Sequence, residues 1–204
     1  MLHHQFASSR PVVLLPHQAS WTSEFTEMAR RIDDITDDTV LHIDHIGSTA
    51  VPSLTAKDVI DVQLTVADLA DTTALINSLE EAGFRPKKSF EYDEFHGLPS
   101  QSPELRKRYI REPLGERRAH IHVREAGRFN TRYALLFRDY LRANANAREE
   151  YELVKCRAAK LFPNSIEGYL FLKEPAFHLI YYAADLWAEK VGWEPHTEKS
   201  RGSD

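Results

Sequence analysis

The chain is 204 residues long, carries a formal net charge of −5, and is 42% hydrophobic and 28% charged. The length suits one domain, or one domain with a helical extension, around a real core, and the balance is that of an ordinary globular protein. The negative charge argues against bulk attraction to nucleic acid, the lone Cys156 excludes an internal disulfide framework and fits a reducing cytosol, and no apolar run approaches a membrane span.

Taken in order, Met1 to Arg10 has no period and no apolar stretch like that of a signal peptide, so it reads as a flexible tail on a chain expected in the cytoplasm. Val12 to Leu15 reads as a short strand or an ordered lead-in. Trp21, Phe25, Met28 and Ile32 recur at helical spacing, which predicts a helix over Trp21 to Ile32 with Ser20 as its N-cap. Val40 to Ile46 alternates as a strand does. Val59 to Val66 is the clearest strand, with Val59, Asp61, Gln63 and Thr65 on one face and Val62, Leu64 and Val66 on the other. Asp71 to Ala82 is an amphipathic helix closed by Gly83 just past its end.

Lys87 to Pro103 is polar, aromatic and irregular, and reads as a loop over the site. Arg106 to Arg111 and Ala119 to Glu125 are two more strands, joined through the turn residues Pro113-Leu114-Gly115-Glu116. From Asn130 the chain is helical. Leu136, Phe137, Tyr140 and Leu141 make one apolar stripe, and Tyr151, Val154, Ala158 and Leu161 another, with a break at Asn144 to Asn146. A last helix runs from about Pro175 to Val191. These stripes are helix-packing surfaces rather than a cofactor box. The sum is an α+β fold: residues 11–128 form the α/β core, 129–194 a helical part packed on it, and 195–204 a second tail.

The densest signal is His42-Ile43-Asp44-His45-Ile46-Gly47-Ser48-Thr49-Ala50-Val51-Pro52, followed by Lys57-Asp58-Val59-Ile60-Asp61-Val62-Gln63-Leu64. A strand here meets a turn, and a second strand carries one acid in its middle. Gly47 lets backbone approach a ligand closely. Ser48 and Thr49 offer hydroxyls and N–H groups suited to phosphate oxygens. Asp61 is a hard oxygen ligand for a divalent cation. The plainer reading is a turn between strands with one half-exposed Asp. His120 and His122 share one strand face, because side chains alternate. Their plainer reading is sheet residues hydrogen-bonded locally or facing solvent.

These segments resemble the GrpB family of the nucleotidyltransferase superfamily. The likeness begins at Leu15-Pro16, Ser20-Trp21 and Phe25. It continues through His45 to Pro52 and Ala56-Lys57-Asp58-Val59-Ile60-Asp61. It then takes in His120-Ile121-His122-Val123, Leu136-Phe137-Arg138-Asp139-Tyr140-Leu141-Arg142 and Tyr151. Ser53 stands where the family usually has Gly, and Asp58 where it usually has Pro.

The resemblance implies a nucleotidyltransferase-like small mixed sheet with flanking helices. It implies a site in which Gly47, Ser48 and Thr49 hold phosphate, with Lys57 and Arg108 as counter-charges. Asp61, His120 and His122 would hold a divalent metal (Mg²⁺ or Mn²⁺), with Asp61 and His122 catalytic. The superfamily's usual acids are reduced to one, because Val59 and the two histidines occupy the other positions. Imidazoles make such a site softer and less negative, suiting Mn²⁺, Zn²⁺ or Fe²⁺ better than Mg²⁺. The expected function is NTP binding with nucleotidyl transfer to an unidentified small-molecule or protein acceptor. A link to dephospho-CoA kinase and coenzyme A metabolism is implied, since family members occur fused to that enzyme. The alternatives are a non-catalytic nucleotide-binding or partner-docking module, and a metal-dependent hydrolase using Asp61, His120 and His122.

Overall fold

The computed structural model describes residues 6–195. Five helices and five strands alternate in part: α1 (Ser20–Thr36), β1 (Val40–Ile46), β2 (Ile60–Val66), α2 (Thr73–Glu81), β3 (Arg85–Pro86), β4 (Arg108–Arg111), β5 (Ala119–Glu125), α3 (Phe129–Ala143), α4 (Ala145–Leu161) and α5 (Ile166–Val191). The strands form one mixed sheet in the order β1-β2-β5-β4-β3. Only β2 and β5 run parallel, and the other neighbours are antiparallel. This is the α+β class read from the sequence.

Alternation divides the sheet into two unlike faces. Ile60, Val62, Leu64 and Val66 of β2 and Ile121 and Val123 of β5 are at most 1% exposed and point toward α1 and α2. Trp21 and Ile32 of α1 and Leu75 and Leu79 of α2 complete that layer. Each fully buried aliphatic side chain contributes about 1.5–3 kcal/mol. The opposite face meets α3, where the Gln63 amide donates to the Thr131 carbonyl at 3.3 Å. The helices α3 and α5 bury a second, aromatic-rich layer that includes Tyr133, Leu136, Tyr181 and Ala184, and Tyr151 of α4 packs with Phe137 and Leu141 of α3 in another.

Several boundaries differ from the expected ones. Ser20 is the first residue of α1, and the helix continues to Thr36. Val59 is buried just before β2 starts at Ile60. The second helix begins at Thr73 behind a short 3-10 turn over Leu69–Asp71. Its end is as expected: Gly83 has φ +92°, its N–H reaches the Glu80 carbonyl and that of Phe84 reaches Leu79, a Schellman closure. The last helix starts at Ile166, nine residues before Pro175. The Ser165 hydroxyl accepts from the Gly168 N–H at 3.3 Å and caps it. Pro175 lies inside, and Phe171, whose carbonyl it cannot serve, is an exposed residue. The expected tail 1–10 is described from Phe6: Ser9 donates its N–H to the Asn164 carbonyl at 2.7 Å, and the Phe6 ring packs on Phe162. Residues 1–5 and 196–204 lie outside the described residues.

Candidate functional site

The polar face of the sheet builds the site by register. Parallel pairing sets His120 beside Asp61 and His122 beside Gln63. Antiparallel pairing then sets Tyr109 beside His122 and Arg111 beside His120. His120 Nδ1 lies 3.2 Å from Asp61 Oδ1, and His122 Nε2 lies 4.0 Å from the same oxygen. Burial alone pushes the Asp61 carboxyl up. The His120 and His122 rings facing it outweigh that and hold the acid well below the usual carboxylate range. Burial lowers His122 to about 4, helped by the Lys107 ammonium 3.4 Å from its Nδ1, so this ring is neutral at pH 7.

The turn after β1 closes over Asp61. Gly47 has φ +72°, and a Cβ there would run into the Asp61 carboxylate. The glycine therefore serves close approach to the acid. Residues Ser48–Ala50 form a 3-10 turn, whose first amides have no carbonyl of their own turn to reach. The Ser48 hydroxyl shares a hydrogen bond with the Tyr151 phenol. Thr49 is differently employed: its hydroxyl is 3.0 Å from His45 Nε2 and donates to the Val59 carbonyl at 3.3 Å, while its side chain is buried. His45 stacks on Phe25 at a centroid distance of 4.6 Å.

Two substitutions at family positions are explained here. Ser53 adopts φ +63°, the left-handed conformation that glycine adopts freely. The Asp58 carboxylate accepts from Trp21 Nε1 at 2.9 Å and pairs with Arg117 at 2.5 Å, so its charge is spent on fastening α1 and the strap before β5.

Gly47, Ser48, Thr49, Lys57, Asp61, His120 and His122 all line one cavity of about 590 Å³. Arg108 does not join them; it pairs with Glu91 at 3.2 Å on the sheet's rim. The basic wall comes instead from Lys57, Lys107, Arg111, Arg124, Lys155 and Lys173. Burial and the nearby Lys173 lower Lys57 to about 8 and Lys155 to about 7. Lys155 Nζ also donates to the Thr55 carbonyl. Arg138 and Arg142, four residues apart on α3, face together around Asp139, and Arg138 also reaches Asp44 at 3.4 Å. Cys156 is exposed on α4.

Asp93 was hidden in the sequence. The segment read as a loop pairs with the chain ahead of β4, through Asp93 N–H to the Leu105 carbonyl and Lys107 N–H to the Glu91 carbonyl, both 2.8 Å. This carries the Asp93 side chain into the cavity, where Lys107 sits 2.5 Å and Arg124 2.9 Å away. The Asn130 amide adds a donor at 3.1 Å. Burial would raise Asp93, but Arg124 and Lys107 hold it well below its ordinary value. Arg124 also donates to Gln63 Oε1 at 2.7 Å. The alternation of Glu91 and Asp93 was the one available signal for an added strand.

The family model described as GrpB protein matches residues 11–182, and the chain belongs to that family. A dephospho-CoA kinase from Mycolicibacterium paratuberculosis is 33% identical over 199 residues, covering 91% of this chain and 49% of that protein. The chain thus spans about half the length of the curated relatives it matches. The crystal structure of the conserved protein GrpB from Enterococcus faecalis shares 29% identity and a TM-score of 0.69, over 86% of this chain and 99% of that one. A Cid1 poly(U) polymerase structure with bound MgGTP overlaps at 14% identity and a TM-score of 0.45, over 71% of this chain and 44% of that one.

Proposed function

Starting from GrpB-family membership, we propose that this chain binds an NTP together with a divalent ion and transfers a nucleotidyl group to an acceptor. One observation carries the reading. Asp61, the neutral His122 and His120 converge beneath the Gly47–Ala50 turn, inside a cavity walled by lysines and arginines. The donor set fits a divalent ion: one ionised carboxylate and two imidazoles offer ligand atoms all within 4.8 Å of one another. Two nitrogens and one oxygen suit Mn²⁺ or Zn²⁺ better than Mg²⁺. Such an ion, when bound, supplies charge neutralisation to the phosphates.

The chain's own groups do the rest. The amides heading the turn and the Ser48 hydroxyl receive phosphate oxygens. Lys57 and Lys173 add positive charge. A ring bound to the ion has no lone pair to spare, so His120 completes the ion's shell wherever His122, kept neutral, is the group that accepts the proton of an attacking acceptor hydroxyl. Tyr133, Phe137 and Tyr169 give the cavity an aromatic wall for a base. The dephospho-CoA kinase name of the mycobacterial relatives supports an acceptor from coenzyme A chemistry. Among the described residues no helix is long and apolar enough to cross a membrane, and the proposed chemistry belongs in the cytoplasm.

A second reading, binding without transfer, is favoured by Asp93. Of the other carboxylates that line the cavity, Glu94 is exposed and Asp93 is already engaged by Lys107, Arg124 and Asn130, leaving Asp61 as the acid placed to hold an ion. Thermal shift with each NTP, Mn²⁺ and Mg²⁺, followed by pyrophosphate release with dephospho-CoA or CoA present, separates the two. Metal-dependent stabilisation that Asp61→Asn removes, together with pyrophosphate release, supports transfer. Stabilisation with no release under any metal selects the binding module. No NTP response at all overturns both.

A further inference from the structure

A second group of ligating side chains lies outside the cavity just described. His96, on the segment between β3 and β4, meets Glu174 and His178 of α5, with ligand atoms of all three within 4.8 Å of one another. Glu174 and His178 are four residues apart, so they share one face of the helix. His96 Nε2 is 3.3 Å from Glu174 Oε1, and the two imidazole rings lie 4.4 Å apart.

His178 is the informative member. It is only 6% exposed, and among the described residues neither of its ring nitrogens has a partner at hydrogen-bond geometry. The Glu94 backbone comes near enough to favour the charged ring, but burial and His96 outweigh it and lower the pKa. A buried imidazole with both nitrogens poorly served forfeits its hydration without return. Phe95 packs against the ring at 4.8 Å, giving it an apolar shell. A ring that served only as apolar packing has no need of nitrogens; one nitrogen directed at a cation does.

We propose that His96, Glu174 and His178 form a second metal site, which takes a divalent transition-metal ion of the zinc type. Two imidazoles and one carboxylate with a position left to solvent is a donor set zinc accepts. At bonds of about 2.0–2.2 Å, tetrahedral neighbours sit about 3.3–3.5 Å apart. The present separations, up to 4.8 Å, need a closure of at most about 1.5 Å, and the exposed His96 side chain can supply it. The ion would staple the segment of residues 87–103 to α5. That segment carries Asp93, three residues before His96, into the cavity. The site does not depend on the function proposed above and holds whether or not the first cavity turns over.

Zinc titrated into the full-length, metal-stripped chain, read by bound stoichiometry after desalting and by trypsin cleavage at Lys87 and Lys88, tests this. The expected result is one zinc equivalent that survives Asp61→Asn but is lost in His96→Ala and weakened at least tenfold in Glu174→Gln. Protection of Lys87 and Lys88 by zinc disappears with it. Both His96 and Glu174 reach solvent, so these substitutions leave the core intact. The proposal is overturned if zinc does not bind, if every bound equivalent is lost in Asp61→Asn, or if stoichiometry is the same with and without His96.

Discussion

The two faces of the central sheet are built from the same strands and obey different rules. On the face toward α1 and α2, Val62, Leu64, Ile121 and Val123 are buried by shape alone. On the other, Gln63 and Arg124 are as hidden, yet each is matched to a partner: Arg124 to Gln63 and Asp93, Gln63 to the Thr131 carbonyl. The apolar face tolerates any filling of about the right volume. The polar face does not, because every removed partner leaves a dehydrated dipole or charge. That dependence lets it hold Asp61 and His122 in fixed protonation states beside an open cavity.

The largest expected effect lies on the apolar face. Leu64→Ala should cost about 3–5 kcal/mol of stability, since a fully buried leucine leaves a cavity at the sheet's centre. Chemical denaturation measures it, and NTP affinity per folded molecule should be unchanged. If affinity falls with stability, the two faces are not separable. Arg124→Met should cost less, about 2–3 kcal/mol, because Lys107 and Asn130 still serve Asp93 while Gln63 loses its donor. Here NTP binding should weaken as well, since Asp93 and the 87–103 segment lose their anchor. A stable variant with full affinity would reduce the polar network to filler.

Acid should act through one buried imidazole on each face, His45 packed on Phe25 of α1 and His122 in the cavity. Burial, aided by Arg142 and Arg138 and opposed by Asp61, lowers His45 to about 4. The unfolded ring titrates near 6.5, so between these values the unfolded chain binds more protons than the folded one. The stability from the neutral ring is therefore complete above about pH 6.5 and is lost as pH falls from 6.5 toward 4. His122, also lowered to about 4, adds in the same direction. Each of these two rings should contribute about 2 kcal/mol to the drop in unfolding free energy between pH 7 and pH 5, and His45→Gln should remove about half of the slope they produce. Equal slopes would mean that the His45 ring is not held neutral.

The same division explains what the sequence made legible. Period-two alternation in Val59 to Val66 and Ala119 to Glu125 reports which side chains share a face, so Asp61, His120 and His122 could be grouped from spacing and resemblance. Local signals also located the Gly47 turn and the Gly83 helix stop. Neither kind of signal reports which strands are neighbours. Asp93 is fixed by Lys107, Arg124 and Asn130, which lie 14, 31 and 37 positions away along the chain, and nothing in an irregular aromatic stretch encodes that. Arg108 failed for a related reason: its neighbours Lys107 and Tyr109 take the cavity side, and one step along a strand reverses the face. Pro175 misled because a proline more often opens a helix than sits within one.

The smallest expected effect separates two adjacent hydroxyls. Ser48 and Thr49 look interchangeable as phosphate donors in the sequence. In the fold both line the cavity, but Ser48 pairs with the Tyr151 phenol there, while the Thr49 hydroxyl is taken up between His45 and the Val59 carbonyl. Thr49→Ala should therefore cost about 1–2 kcal/mol of stability, the loss of a buried bridge, and leave NTP affinity per folded molecule nearly unchanged. Ser48→Ala should do the reverse: stability within about 0.5 kcal/mol of wild type, and NTP affinity reduced by about three- to tenfold, the net worth of one ordinary hydrogen bond. Calorimetric titration of both variants with the same nucleotide and Mn²⁺ reads the contrast. If Thr49→Ala weakens binding more than Ser48→Ala, the boundary between scaffold and site has been drawn one residue too early, and the hydroxyl facing His45 belongs to the ligand.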